Sequence, residues 1–414
     1  MIARRYTPVR IVLVAMFLCG IASAQVTLDF WSWRVEDRWA YEEIIAGYVE
    51  DHPGVRINYN AFESTTYDTI LTTAFTAGEA PDIIHVRAYG NFETYAAPGY
   101  LMRLDDKVDA LENFPDLALN GERLREDGNV YAVPFASQTL IVYYNTDIFD
   151  ELGLAPPETW DEFLAAAKTI EDAGYIALAN GTATASEAEI FTGVFAPNFY
   201  GADFFDQVVA GETTFEDPRF IQALEKVSEL TEYMAPQFSG VDRATAQNLF
   251  LNELAAMYAG GSWEIANFRN QNPDLAFDVM APPPESADDT PLVSWFLDGG
   301  YAVSADTNHP EESIEFVTFL ASPEFGQQLT DKLANVSPIP GVVSDDPLLK
   351  KVTEFNQNST PYIMLVGFRY EAPTGSVLMQ QRLPGMYAGS MSPEQLAKEV
   401  TEGITQYYEP FQQR

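Results

Sequence analysis

Cysteine is almost absent: Cys19 is the only one among 414 residues. Once the N-terminal stretch is set aside, the chain offers no disulfide, no thiolate metal cage and no nucleophilic thiol. Histidine is nearly as scarce. His52, His85 and His309 stand apart, and none has a second His or Cys at ligand spacing. Each is read as a turn, strand or helix-start residue rather than a metal ligand. Basic residues are the third shortage, 23 Lys and Arg against 61 Asp and Glu. That imbalance excludes nucleic acid as a partner and disfavours polyanionic ligands. No phosphate loop or dinucleotide fingerprint is found, and Gly260-Gly261-Ser262-Trp263-Glu264 lacks the closing glycine of a nucleophile elbow. Among 61 acids some carboxylate pair could always be drawn for glycoside hydrolysis, but such a choice has almost no specificity.

What is present begins with an export signature. Arg4, Arg5 and Arg10 precede the apolar run Ile11 to Ile21, and Ala22-Ser23-Ala24 supplies the small residues that a signal peptidase admits. The run falls short of the roughly 18 residues needed to span a bilayer. Leu18 stands before Cys19, where a lipid-modified cysteine usually has a small residue. Cleavage after Ala24 is therefore expected, with a product that is periplasmic or extracellular. It would leave 20 basic and 61 acidic residues, a net charge of −41. The acids are dispersed rather than gathered in a tail. This surface is read either as an adaptation to high external salt or as that of a merely acidic exported protein. A mature chain of this length favours two domains.

Strand and helix signals alternate. Val26, Leu28 and Phe30 suit a half-buried strand, and Asp37 is placed to cap a helix carrying Tyr41, Ile44, Ile45 and Tyr48 on one face. Val55 to Tyr59 reads as the next strand, Tyr67 to Phe75 as a helix ending near Gly78, and Ile83 to Val86 as a third strand. This is the pattern of a parallel α/β sheet. Further on, Tyr131 to Val133 and Leu140 to Tyr144 read as short strands, and Thr159 with Glu162 as a capping box. Asp217-Pro218, Ser322-Pro323 and Ser392-Pro393 each mark a helix start.

Aromatic residues gather at element ends. Trp31 and Trp33 close the first strand, Trp263 follows a diglycine, and Trp295 precedes Asp298-Gly299-Gly300-Tyr301. Trp39 and Trp160 fall in helical first turns and are read as packing residues. Rings beside glycines suit the flat C–H faces of sugars, whose hydroxyls need carboxylates, amides and guanidinium groups.

Several blocks then carry a resemblance. Trp31-Ser32-Trp33, Ala77-Gly78-Glu79-Ala80-Pro81-Asp82-Ile83, Tyr143-Tyr144-Asn145-Thr146-Asp147 and Pro156-Pro157-Glu158-Thr159-Trp160 follow in order. Gly261-Ser262-Trp263, Gly299-Gly300-Tyr301 and Ser322-Pro323-Glu324 continue the series. Together they resemble the extracellular (family 1) sugar-binding proteins of ABC-type importers, over about residues 26 to 340.

The resemblance implies an α/β, two-lobed periplasmic-binding-protein fold with three hinge crossings and a ligand cleft between the lobes. The crossings are expected near Pro134 to Gln138, Pro291 to Phe296 and Asn335 to Pro340. One lobe would hold residues 25–135 with 297–336, the other 136–292 with 337–414. The implied contacts are Asp82 in the cleft, Trp263 stacked on the sugar, and Gly299, Gly300 and Tyr301 on the opposite wall. Trp33, Trp295 and Asp298 join this set. Glu36 is read as a ligand contact or an exposed helix-start acid, and Gln138 as a donor to a hydroxyl or a solvated loop residue. Arg369 is placed by a degenerate motif, Gly367-Phe368-Arg369-Tyr370. Tyr144 and Asn145 are read as structural. The implied protein is not an enzyme, needs no cofactor or metal, and works as a monomer with a small sugar and a membrane permease as partners. Two alternatives stay open: the same fold with a non-sugar ligand such as a polyamine, and a secreted carbohydrate-active enzyme.

Overall fold

The computed structural model describes residues 25–413, so the stretch read as an export signal lies outside the described residues. The strands in chain order are β1 Val26–Ser32, β2 Val55–Ala61, β3 Ile83–Arg87, β4 Ala132–Pro134, β5 Ser137–Asn145 and β6 Ile176–Leu178. They continue with β7 Ala255–Gly261, β8 Phe277–Met280, β9 Val293–Leu297, β10 Gly299–Val303 and β11 Ser359–Pro361. They form two sheets. The first runs β2-β1-β3-β10-β4, and the second β11-β9-β5-β7-β6 with β8 also on β5. In the first, β1 pairs in parallel with β2 and β3, as strands joined by helices must, while β10 returns antiparallel between β3 and β4. In the second, β5 is buried along its whole length and pairs antiparallel with β7, β8 and β9.

Helices cover both faces of each sheet, so alternate residues of a strand enter different cores. Ile83 packs with Phe30, Tyr301 and the helices Arg38–Asp51 and Pro310–Leu320, while Ile84 and Val86 face Tyr67, Leu71 and Phe92. In β5, Leu140 and Val142 face one core and Ile141 and Tyr143 the other. The helix Tyr67–Ala77 stops at Gly78, whose φ of 70° is the left-handed turn that glycine makes without a Cβ clash. Thr159 caps the helix Trp160–Asp172 by accepting from the Glu162 N–H, while Glu162 accepts from the Glu158 N–H. Asp217, Ser322 and Ser392 cap their helices in the same way. Among the described residues no helix is long and apolar enough to cross a membrane.

The chain passes between the sheets at three places. From β4 it enters β5 within three residues, Phe135, Ala136 and Ser137. It returns between β9 and β10 through a single residue, Asp298. The expected crossing at Pro291 to Phe296 is thus displaced, because Val293–Leu297 is an apolar run that pairs with both β5 and β11. The third passage follows the helix Pro323–Leu333: Val336 bridges to Ser137, Ile339 returns to the first core, and Leu348 enters the second.

Candidate ligand-binding site

Open α/β sheets bind ligands beyond the carboxyl ends of their strands. Here β1 runs out into Trp33 and Arg34, β3 ends at Arg87, and β7 runs out into Trp263 and Glu264. These residues, with Asp298 of the second crossing, line a cleft of about 510 Å³.

On the wall from the first sheet, the Arg34 side chain is buried. Its Nε donates to Asp37 Oδ2 at 2.5 Å and its Nη1 to Asp298 Oδ2 at 3.0 Å. Burial works against the Arg34 charge, and Asp37, Asp298 and Glu36 outweigh it, holding the guanidinium firmly protonated. Asp37, expected as a helix cap, makes no side-chain cap bond because Arg34 engages its carboxylate. Glu36 reaches toward the cleft, 62% exposed in its side chain and 3.6 Å from Arg34. Trp33 is only 4% exposed, with His85 at 4.0 Å between ring centroids and the Arg87 guanidinium 4.6 Å from its ring.

On the wall from the second sheet, the Trp263 indole folds back across Gly261. A Cβ there would lie 1.8 Å from the ring, so only glycine leaves the indole this seat. The ring meets Phe296 edge-on at 6.2 Å, and the Arg243 guanidinium stands 6.0 Å from it. Beneath lies Glu264, 1% exposed, accepting from Arg243, Gln247, Trp263 and Asn267. Glu187, also buried, approaches Arg243 to 3.8 Å. Burial raises the Glu187 carboxyl above its ordinary value, Arg243 opposes that shift and Glu264 adds to it.

Of the expected contacts, Trp33, Glu36, Trp263 and Asp298 meet at this cleft. Gln138 lies below it, wholly buried. It donates to Asn335 at 3.1 Å and Asp298 at 3.3 Å, and it accepts from Ser262 at 2.8 Å. The Ser262 hydroxyl is held by Gln138, and Trp263 takes the cap position of the helix that follows.

The remaining expectations are corrected. Asp82 precedes β3 and accepts from the Asp29 N–H at 2.9 Å and from Thr307, at the end of the sheet opposite the cleft. Arg87 lies five residues further along the strand, on the order of 17 Å away. Trp295 is 8% exposed and packs into the second sheet opposite Thr139. Gly299 and Gly300 sit inside β10, where a Cβ would strike the carbonyls of Val86 at 2.2 Å and Val133 at 2.7 Å. Their smallness serves strand pairing, and at Gly299 it also leaves room for the Trp33 ring, 2.7 Å from where a Cβ would stand. Tyr301 is wholly buried with its hydroxyl 2.5 Å from that of Tyr41. Arg369 bonds Ser376 at 3.1 Å, and its carbonyl packs so closely on Gly90 that a Cβ there would lie 2.1 Å away.

Arg87, Arg243, Gln247, Glu264 and Asn267 line the cleft without having been singled out in the sequence. Two signals pointed to them. Basic residues are scarce in this chain, and Arg243 and Gln247, like Glu264 and Asn267, are spaced to share one helix face.

Comparison with known proteins agrees with this architecture. Residues 32–327 match the family model of the bacterial extracellular solute-binding proteins. A multiple sugar-binding protein of Streptococcus mutans is 23% identical over 355 residues, covering 82% of both chains. A melibiose/raffinose/stachyose-binding protein of Bacillus subtilis is 23% identical over 341 residues, 78% of this chain and 76% of that protein. A Bacillus licheniformis sugar transporter solved with stachyose superposes with a TM-score of 0.71 at 18% identity, covering 93% of this chain and 100% of its own. With the family model spanning most of its length, two sheets joined by three crossings and a cleft between them, the chain belongs to the bacterial extracellular solute-binding protein family.

Proposed function

We propose that this protein captures a mono- or oligosaccharide outside the cytoplasm and delivers it to the membrane permease of an ABC importer. The observation that carries the reading is the wall around Trp263: an aromatic ring beside a guanidinium and two carboxamides, Gln247 and Asn267. A sugar ring offers C–H faces to such a ring and hydroxyls to such planar groups. The sugar ligands named for the Streptococcus mutans and Bacillus subtilis relatives support the same class. Against a polyamine, the cleft acids Asp37, Asp298 and Glu264 are already engaged by Arg34 and Arg243. In this reading the lobes are residues 25–135 with 299–336 and 136–297 with 337–413, the chain is exported by cleavage after Ala24, and it works as a monomer.

Calorimetry with galactose, melibiose, raffinose, stachyose and maltotriose is the direct test. The expected result is binding of at least one of them near micromolar affinity, about −8 kcal/mol. Trp263→Ala should weaken that binding by about 2 kcal/mol or more. It should cost less stability than the roughly 3–5 kcal/mol of a core aromatic truncation. No heat with any sugar, together with tight binding of spermidine, would sink the reading.

A further inference from the structure

We infer that Glu264 is a positioning residue: one buried carboxylate that aims four cleft side chains, Trp263, Arg243, Gln247 and Asn267, before any ligand arrives. The inference rests on the reading of this cleft as a sugar site. Glu264 opens the helix Glu264–Gln271, and its side chain is 1% exposed. Its Oε1 accepts from Arg243 Nη2 at 3.0 Å, Gln247 Nε2 at 2.9 Å and Trp263 Nε1 at 3.1 Å. Its Oε2 accepts from Asn267 Nδ2 at 2.6 Å and is 3.0 Å from Gln247 Nε2. An ionised carboxylate only accepts, and here its lone pairs are filled by protein. Glu264 therefore has no direct contact left to offer a ligand, and its influence is exerted through the donors it holds.

Each bond fixes what its donor presents. The indole N–H of Trp263 is spent on Glu264, so the ring acts on a sugar through its faces and C–H edge. Gln247 turns its amide nitrogen to the carboxylate, which leaves its carbonyl oxygen free to accept from a hydroxyl. Arg243, 43% exposed and also near Glu187, keeps further N–H groups for hydroxyl oxygens. Two helices, Arg243–Leu251 and Glu264–Gln271, are thus tied at the point where they meet the cleft. Side chains fixed in advance lose less freedom on binding.

Glu264→Gln tests this at constant shape. It replaces one acceptor oxygen with an NH2 donor facing donors, so part of the cluster must swing away. Glu264→Asp keeps the charge but draws the carboxylate back by one methylene, and it serves if the Gln variant folds poorly. The first readout needs no sugar. The chain has six tryptophans, and the indole 1H–15N signal of Trp263 is identified by its loss in Trp263→Phe. In either Glu264 variant that signal should move while the other five hold their places. The second readout is affinity for the tightest binder among galactose, melibiose, raffinose, stachyose and maltotriose, expected to fall at least tenfold in Glu264→Gln. A Trp263 indole signal that stays put overturns the inference, and so does unchanged affinity. If none of these sugars binds the wild-type protein, the sugar reading fails by itself and the indole shift decides the positioning role.

Discussion

Glu122 is wholly buried beside Gly300, and neither of its carboxylate oxygens has a hydrogen-bond partner. Burial alone pushes its carboxyl well above the usual range. In the unfolded chain a glutamate ionises near pH 4.3. Above that pH the folded state holds a proton that the unfolded state has released, so stability falls as pH rises, until the folded group itself ionises. Glu122→Gln removes the titration. Its melting temperature should therefore gain on wild type as pH rises above about 4.3, until the folded carboxyl itself ionises, as thermal scans at rising pH would show. A constant offset between the two would mean that Glu122 does not titrate differently on folding. The sequence gives Glu122 no mark, because its burial is decided by distant residues that close over it. The same limit explains Tyr301 and Asp82. The family resemblance implied both as cleft contacts, and only the sheet shows which end, and which face, they occupy. Trp263 was legible because Gly260-Gly261 announces a turn at a strand end.

At the scale of elements, the three passages between the sheets meet at one side chain. Gln138 follows the first, as the second residue of β5, and its carboxamide bonds Asp298 on the second and Asn335 on the third. It also accepts from Ser262, the residue that leads into Trp263. Gln138→Leu takes the side-chain donor from the buried Asn335 carbonyl oxygen and the acceptor from the Ser262 hydroxyl, while Asp298 keeps Arg34. It should cost about 1–3 kcal/mol of stability; under the proposed reading, in which the lobes close on sugar by bending at these passages, the contraction on adding sugar should change as well. Urea unfolding and small-angle scattering with and without sugar would measure both. A variant with wild-type stability and wild-type contraction would make the carboxamide a bystander. Elements with local punctuation were readable: the helices after Thr159, Asp217, Ser322 and Ser392 all begin where a capping side chain says they should. The second crossing was not, because Pro291 reads as a break while the run behind it is a strand that only β5 and β11 can complete.

For the molecule as a whole, the dominant fact is a chain with 61 acidic and 23 basic residues. Repulsion among surface carboxylates opposes the compact state, and dissolved salt screens it. The melting temperature should rise steeply from low to molar sodium chloride; an unchanged value would detach the acidic surface from any saline habitat. The cleft is exempt from this. Arg34 is matched by Asp37 and Asp298, Arg87 stands 3.3 Å from Asp68, and Arg243 is matched by Glu187 and Glu264. Each arginine there has a carboxylate within 4 Å, so none stands as an unmatched cation. An uncharged solute approaching the cleft meets no long-range pull for an ionic atmosphere to dampen. Encounter rate and affinity should then stay level across salinities that markedly change how tightly the chain holds its fold.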